Sequence, residues 1–208
     1  MKYVVIKLGR AGYAELIDKL IAKIDVLCKP HNHLYPDKLF QKYGGDIKVI
    51  FLTRNIKDTI ISVLQREEDR GIKWIKKHYK NLNSDFKNHS KILEEDTLNF
   101  ENLYDSYLKQ KYFDVLFIKY ENLFFNHKET LDSLYKFTKL NYIDIRFNEN
   151  NRWRGNYESK KNDKFELSWD KALQTKLDSY NIKLYKNTTK SSLFINLLKF
   201  IRRKIHSY

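Results

Sequence analysis

KVIFLTRNIKDTIISVLQR, residues 48–66, changes its hydrophobic period part-way along. Residues 49–53 form an uninterrupted apolar run, the pattern of a strand in a parallel sheet covered on both faces. Beyond it, Ile60, Ile61, Val63 and Leu64 fall at helical spacing, with Asn55 or Asp58 as the helix start. The stretch therefore reads as strand, turn and helix, with Arg54 at the strand's carboxyl end. Ser62 follows Arg54 by eight residues, about 12 Å of helical rise, so a ligand touched by both must lie across the start of the helix.

The same alternation extends in both directions. Residues 3–8 are a β-branched run, Gly9 and Gly12 punctuate a turn, and Leu16, Ile17, Leu20, Ile21 and Ile24 then share one helical face. Residues 25–29 read as a second buried strand. It leads into PHNHLYP, a loop stiffened by Pro30 and Pro36, the chain's two prolines. A polar helical stretch spans roughly residues 73–110, residues 114–119 read as a fourth strand, and residues 129–140 as a helix buried through Leu131, Leu134, Tyr135 and Phe137. Strands alternating with helices predict an α/β fold with a mostly parallel sheet flanked by helices. Ligands of such sheets bind at the carboxyl ends of the strands. We expect one domain over residues 1–185 and a basic amphipathic tail over residues 186–208.

Composition narrows the partners. Forty Lys and Arg against twenty-six Asp and Glu leave a net charge of +14, which favours an anionic ligand or surface. A 42% apolar and 15% aromatic content supports a packed core. The single Cys28 rules out an internal disulfide, and MKYVVIKL is too short for a signal peptide, so a cytoplasmic location is expected. No apolar run approaches the roughly 20 residues of a membrane span. No metal is suggested, since His31 and His33 lack further ligands at metal spacing. In the tail, Leu193, Phe194, Leu197, Leu198 and Ile201 alternate with Lys199, Arg202, Arg203 and Lys204. That pattern suits an acidic membrane surface, the protein's own body or a second subunit.

Two segments carry anion chemistry on their residues alone. Gly9-Arg10-Ala11-Gly12, between strand and helix, offers backbone N–H groups beside an arginine, but not at P-loop spacing. Arg54 and Ser62 offer a guanidinium and a hydroxyl at the end of the strongest strand.

The combination Arg54-Asn55-x-Lys57-Asp58 with Ser62 closely resembles the 3′-phosphate segment of the sulfotransferases that use 3′-phosphoadenosine 5′-phosphosulfate (PAPS). Other segments follow in that family's order. VVIKLGRAGYAELI resembles its 5′-phosphosulfate loop, with Arg10, Ala11 and Gly12 matching, although Tyr13 and Ala14 stand where hydroxyls are usual. CKPHNHLYP resembles its catalytic-histidine loop. Residues 119–122, Lys-Tyr-Glu-Asn, resemble the end of a later strand, and RWRGNYESKK resembles the loop that closes over the 3′ phosphate through Arg154 and Gly155. The resemblance covers residues 3–175 and implies a P-loop-like three-layer fold.

It also implies sulfuryl transfer from PAPS to a hydroxyl or amine of a small-molecule or glycan acceptor. In that scheme Arg10 faces the transferring group, with Gly9, Ala11, Gly12, Tyr13 and Ala14 around the 5′ phosphate. Arg54, Ser62, Arg154 and Gly155 hold the 3′ phosphate, Tyr120 contacts the nucleotide, and either His31 or His33 is the base. Two other readings stay open: a nucleotide-binding pseudoenzyme, given Tyr13, Ala14 and Glu15, and a basic nucleic-acid-binding module. Nucleic acid is the less expected partner, because no motif of that kind occurs.

Overall fold

The computed structural model describes residues 1–8, 23–27, 34–78, 94–140 and 175–179. Three parallel strands, β1 (Lys2–Lys7), β2 (Ile47–Thr53) and β3 (Asp114–Lys119), form a sheet in the order β1-β2-β3. Lys7 stands opposite Leu52, and Thr53 opposite Lys119, so the three carboxyl ends lie at one edge. β2 is the central strand, and its inward-facing pattern on both sides leaves Val49, Ile50 and Phe51 with no exposed surface. This is the residue choice expected of a strand hydrogen-bonded along both edges and covered on both faces.

Helices lie between the strands and after β3, and a further helical stretch covers residues 175–179. The former are α1 (Pro36–Tyr43), α2 (Ile56–Arg70), α3 (Ile72–His78), α4 (Phe100–Lys109), α5 (Asn122–Phe125) and α6 (His127–Thr138). Side chains alternate between two cores. Val4, Ile6, Val49, Phe51, Val115 and Phe117 pack with α1, α2, α3 and α4, and Leu177 joins them. Tyr3, Val5, Ile50, Leu52, Leu116 and Ile118 pack on the other face with Leu123, Leu131 and Leu134. The sheet thus lies between two helical layers, the α/β architecture that the alternating pattern predicts.

Several boundaries differ from the reading of the sequence. Residues 36–43 are a helix rather than loop. Pro36 occupies its first turn, where the missing N–H costs nothing, and Gly44 at φ 74° ends it by donating its N–H to Phe40 O at 2.8 Å. The helical stretch expected over 73–110 is interrupted. Residues 94–99 form a turn in which Asp96 and Asn99 adopt positive φ, and the Asp96 carboxylate accepts the N–H groups of Phe100, Glu101 and Asn102. That carboxylate satisfies donors that the first turn of α4 otherwise leaves orphaned. Burial raises the Asp96 pKa despite these hydrogen bonds. Gly71, at φ 78°, separates α2 from α3. The helix expected over residues 129–140 starts at His127, which is half-buried with Nδ1 3.0 Å from Leu123 O.

Of the strand expected over 25–29, the described residues contribute one parallel bridge, Val26 to Tyr3. Tyr3 N donates to Asp25 O and Leu27 N to Tyr3 O, so Val26 lies on the edge of β1 opposite β2. The chain therefore leaves β1 toward one side of the sheet and leaves β2 toward the other. Adjacent strands with opposite exits open a crevice at their carboxyl ends, the standard ligand position of such sheets.

Phe51 is the packing centre of one face, with ring centroids 4.9 Å from Tyr107, 5.3 Å from Phe117 and 5.7 Å from Tyr104. Its side chain has no exposed surface. Phe51→Ala should destabilise the fold by about 3–5 kcal/mol, read from urea unfolding. A loss below ~1 kcal/mol would contradict this packing.

Candidate functional site

The carboxyl ends of the strands bring together two of the segments singled out in the sequence. Leu8 N donates to Leu52 O at 2.9 Å, so β1 stays paired until the residue before the Gly9–Gly12 turn. On the other side, Tyr120 N donates to Thr53 O at 2.8 Å, extending the pairing one residue past the end of β3. The register that sets Thr53 against Lys119 then sets Arg54 against Tyr120. The Arg54 guanidinium carbon lies 5.2 Å from the centre of the Tyr120 ring, a cation–π contact.

Helix α2 starts directly after this turn. Thr59 N and Thr59 Oγ1 both donate to Asn55 O, at 3.0 and 2.9 Å, and Asp58 N lies 3.5 Å from Asn55 Oδ1. Ile56, Thr59, Ile60 and Val63 are buried, whereas Asn55, Asp58 and Ser62 are half-buried. Positions 55, 58 and 62 recur at helical spacing, so Ser62 shares a stripe with Asn55 and Asp58. The side chain of a helical residue leans toward the helix N-terminus, which turns Ser62 toward the Arg54 end. A guanidinium at the end of β2 and a hydroxyl on the helix that follows it are donor types suited to a phosphate.

Acidic groups surround that cation. Glu121 Oε1 accepts the N–H of Asn55 at 2.8 Å. Burial pushes the Tyr120 phenol up to about 12; the Arg54 charge opposes the rise, and the Glu121 and Asp58 carboxylates add to it. Tyr120 is 7% exposed, so its ring serves as the floor beneath Arg54. The sequence had marked Tyr120 for nucleotide contact, but gave no role to Glu121. The signal was there in Arg54-Asn55 and Tyr120-Glu121, two dipeptides at adjacent strand ends.

The histidine loop is described at its exit. Leu34 O accepts a hydrogen bond of 2.6 Å from Tyr107 Oη, and Asn99 Nδ2 donates to the Tyr35 hydroxyl. Both partners lie on α4 or at its N-cap, so α4 holds the chain that emerges from His31 and His33. The remaining expected site residues, Gly9, Arg10, Ala11, Gly12, Tyr13, Ala14, His31, His33, Arg154 and Gly155, lie outside the described residues. Trp74 is half-buried against the core, as a packing residue would be. Among the described residues there is no cluster of His, Cys, Asp and Glu able to hold a metal ion, and no helix is long and apolar enough to cross a membrane.

The raised Tyr120 pKa has a defined consequence for stability. The folded protein holds this proton more tightly than the unfolded chain, whose phenols titrate near 10. The contribution is complete below pH ~10 and is lost as pH rises toward 12. The urea midpoint of the wild type should therefore fall toward that of Tyr120→Phe between pH 9 and pH 11. A gap that stays constant over this range would show that the phenol is not held in its neutral form.

Comparison with known proteins bears on the family of the chain. Residues 20–191 match the family described as Sulfotransferase domain, a match that begins after the Gly9–Gly12 turn. No curated protein sequence matches. Among solved structures, mouse sulfotransferase SULT7A1 complexed with PAP is similar with a TM-score of 0.47 and 17% identity, over 69% of this chain and 59% of that one. This chain thus spans less than two thirds of that protein. The family match covers most of the 208 residues, and the chain belongs to the sulfotransferase domain family.

Proposed function

We propose that the protein transfers a sulfuryl group from PAPS to a hydroxyl or amine of a small-molecule or glycan acceptor. The observation that carries this reading is Arg54, laid on Tyr120 at the end of the central strand and followed on the same crevice by Ser62, in a chain of this family. Arg54 and Ser62 bind the 3′ phosphate, the group that separates PAPS from other adenine nucleotides. Arg154 and Gly155 complete that pocket, and Tyr120 supports it from below.

Sulfuryl transfer is in-line with a loose transition state, so the protein contributes positioning and charge stabilisation. Arg10 faces the sulfuryl group and the phosphate oxygen on which charge develops as the S–O bond breaks. Backbone N–H groups around Gly9, Ala11, Gly12, Tyr13 and Ala14 hold the 5′ phosphate. His31 or His33 accepts the proton of the acceptor as its oxygen or nitrogen bonds to sulfur. The chemistry requires no metal. Residues 1–185 form the catalytic domain in this reading, located in the cytoplasm. The 186–208 tail makes a peripheral membrane contact or a contact with a second copy.

A second reading is favoured by one observation. Tyr13 and Ala14 stand in place of hydroxyl-bearing phosphate ligands, and Glu15 adds a negative charge. A protein that binds the nucleotide without turning it over would tolerate such residues.

Calorimetry with 3′-phosphoadenosine 5′-phosphate tests the binding half. It should bind far more tightly than 5′-AMP, and Arg54→Ala should remove about 2 kcal/mol of that preference, with a smaller loss in Ser62→Ala. Equal binding of the two nucleotides, or none, would overturn the 3′-phosphate assignment. Transfer of radiolabelled sulfate from PAPS to a glycan and phenol panel tests the catalytic half. Activity should be lost in His31→Ala or in His33→Ala. Nucleotide binding with no transfer to any acceptor supports the second reading, and unchanged turnover in both variants excludes either histidine as the base.

A further inference from the structure

The turn from β2 into α2, Thr53-Arg54-Asn55, is held by the two residues that follow β3, and each of the three is met by one of them. Tyr120 N donates to Thr53 O at 2.8 Å. The Tyr120 ring lies under the Arg54 guanidinium at 5.2 Å. Glu121 Oε1 accepts the N–H of Asn55 at 2.8 Å. Two of these contacts are also what any parallel sheet and aromatic neighbour would supply. The third is different, because it places a carboxylate beside a cation that is meant to meet an anion.

We propose that Glu121 is a positioning residue for the 3′-phosphate half of the site, acting through the Asn55 amide on the orientation of Arg54. A neutral acceptor would satisfy the Asn55 N–H with less electrostatic cost to an incoming phosphate. A carboxylate makes a stronger, charge-assisted bond and suits the positive end of α2. Glu121 Oε2 is buried and has no hydrogen-bond partner among the described residues, so the carboxylate is committed to this turn through Oε1. It also occupies the N–H that precedes the helix. An anion is thereby kept off the helix axis and directed toward Arg54 and Ser62. Selectivity for a nucleotide bearing a 3′ phosphate then depends on a side chain that never touches it.

The inference rests on the 3′-phosphate reading above, and the test separates the two. Binding of 3′-phosphoadenosine 5′-phosphate and of 5′-AMP is measured by calorimetry for wild type, Glu121→Ala, Glu121→Gln, Arg54→Ala and the Arg54→Ala/Glu121→Ala double variant. Glu121→Ala should weaken the 3′-phosphorylated nucleotide about ten-fold and 5′-AMP less than about two-fold. Glu121→Gln keeps an oxygen for the Asn55 N–H and should bind both nucleotides nearly as the wild type does. Once Arg54 is alanine, removing Glu121 should cost nothing more, because the effect passes through Arg54. Amide hydrogen exchange at Asn55 should speed up in Glu121→Ala and not in Glu121→Gln, with or without nucleotide.

A wild type with no preference for the 3′ phosphate overturns the functional reading and this role together. A wild type that has the preference, beside a Glu121→Ala variant that keeps it, overturns the role alone. Equal weakening of both nucleotides, or a Glu121→Gln variant as impaired as Glu121→Ala, also overturns it.

Discussion

β2 is hydrogen-bonded along both edges and buried on both faces, and every functional feature described here depends on where that strand stops. Its neighbours are parallel to it, so all three strands deliver their carboxyl ends to one edge. A parallel sheet of this kind cannot slip by one residue without turning each buried side chain to the wrong core. Val49 and Phe51 belong to one core, Ile50 and Leu52 to the other, and both cores are full. The register of Thr53 against Lys119 is therefore fixed by packing well below the site. Arg54 faces Tyr120 because the cores leave no alternative.

That placement creates an electrostatic conflict which the structure resolves locally. Arg54 extends the face of Ile50 and Leu52, and a buried guanidinium there would be costly without compensation. The Tyr120 ring supplies a face for the cation, and Glu121 and Asp58 supply negative charge nearby. The guanidinium thus has an aromatic face and nearby negative charge in the protein itself. A side chain supported in this way loses less conformational entropy on meeting any partner. The nearby negative charge also limits the attraction to anions in general, which matters in a chain carrying a net charge of +14.

The sheet was legible in the sequence because its signal is local. Residues 114–119 form β3 as read, and the 49–53 run lies within β2, since uninterrupted apolar runs reflect burial on both faces. Helix α1 was obscured by Pro36, which breaks a helix anywhere except its first turn. The break before α4 was obscured because it depends on positive φ at Asp96 and Asn99, a property that spacing does not report. At the site, Arg54 and Ser62 were found because both lie in one continuous strand–turn–helix segment, eight residues apart. Glu121 was not, because its partner Asn55 is 66 positions away and the bond exists only once β3 lies beside β2.

The two described parts of the site hang on opposite faces of the sheet. Tyr120 packs in the core formed with Leu123, Leu131 and Leu134, so the floor beneath Arg54 belongs to the α5–α6 side. Leu34 is tied instead to Tyr107, whose ring packs against Phe51 and Phe113 on the α4 side. The anion-holding groups and the loop that leads from the histidines therefore take their positions from different cores. β2 is the element shared by both, through Phe51 on one face and Leu52 on the other. Such a division lets sequence change in one core move the Leu34 segment while Arg54 and Tyr120 keep their places.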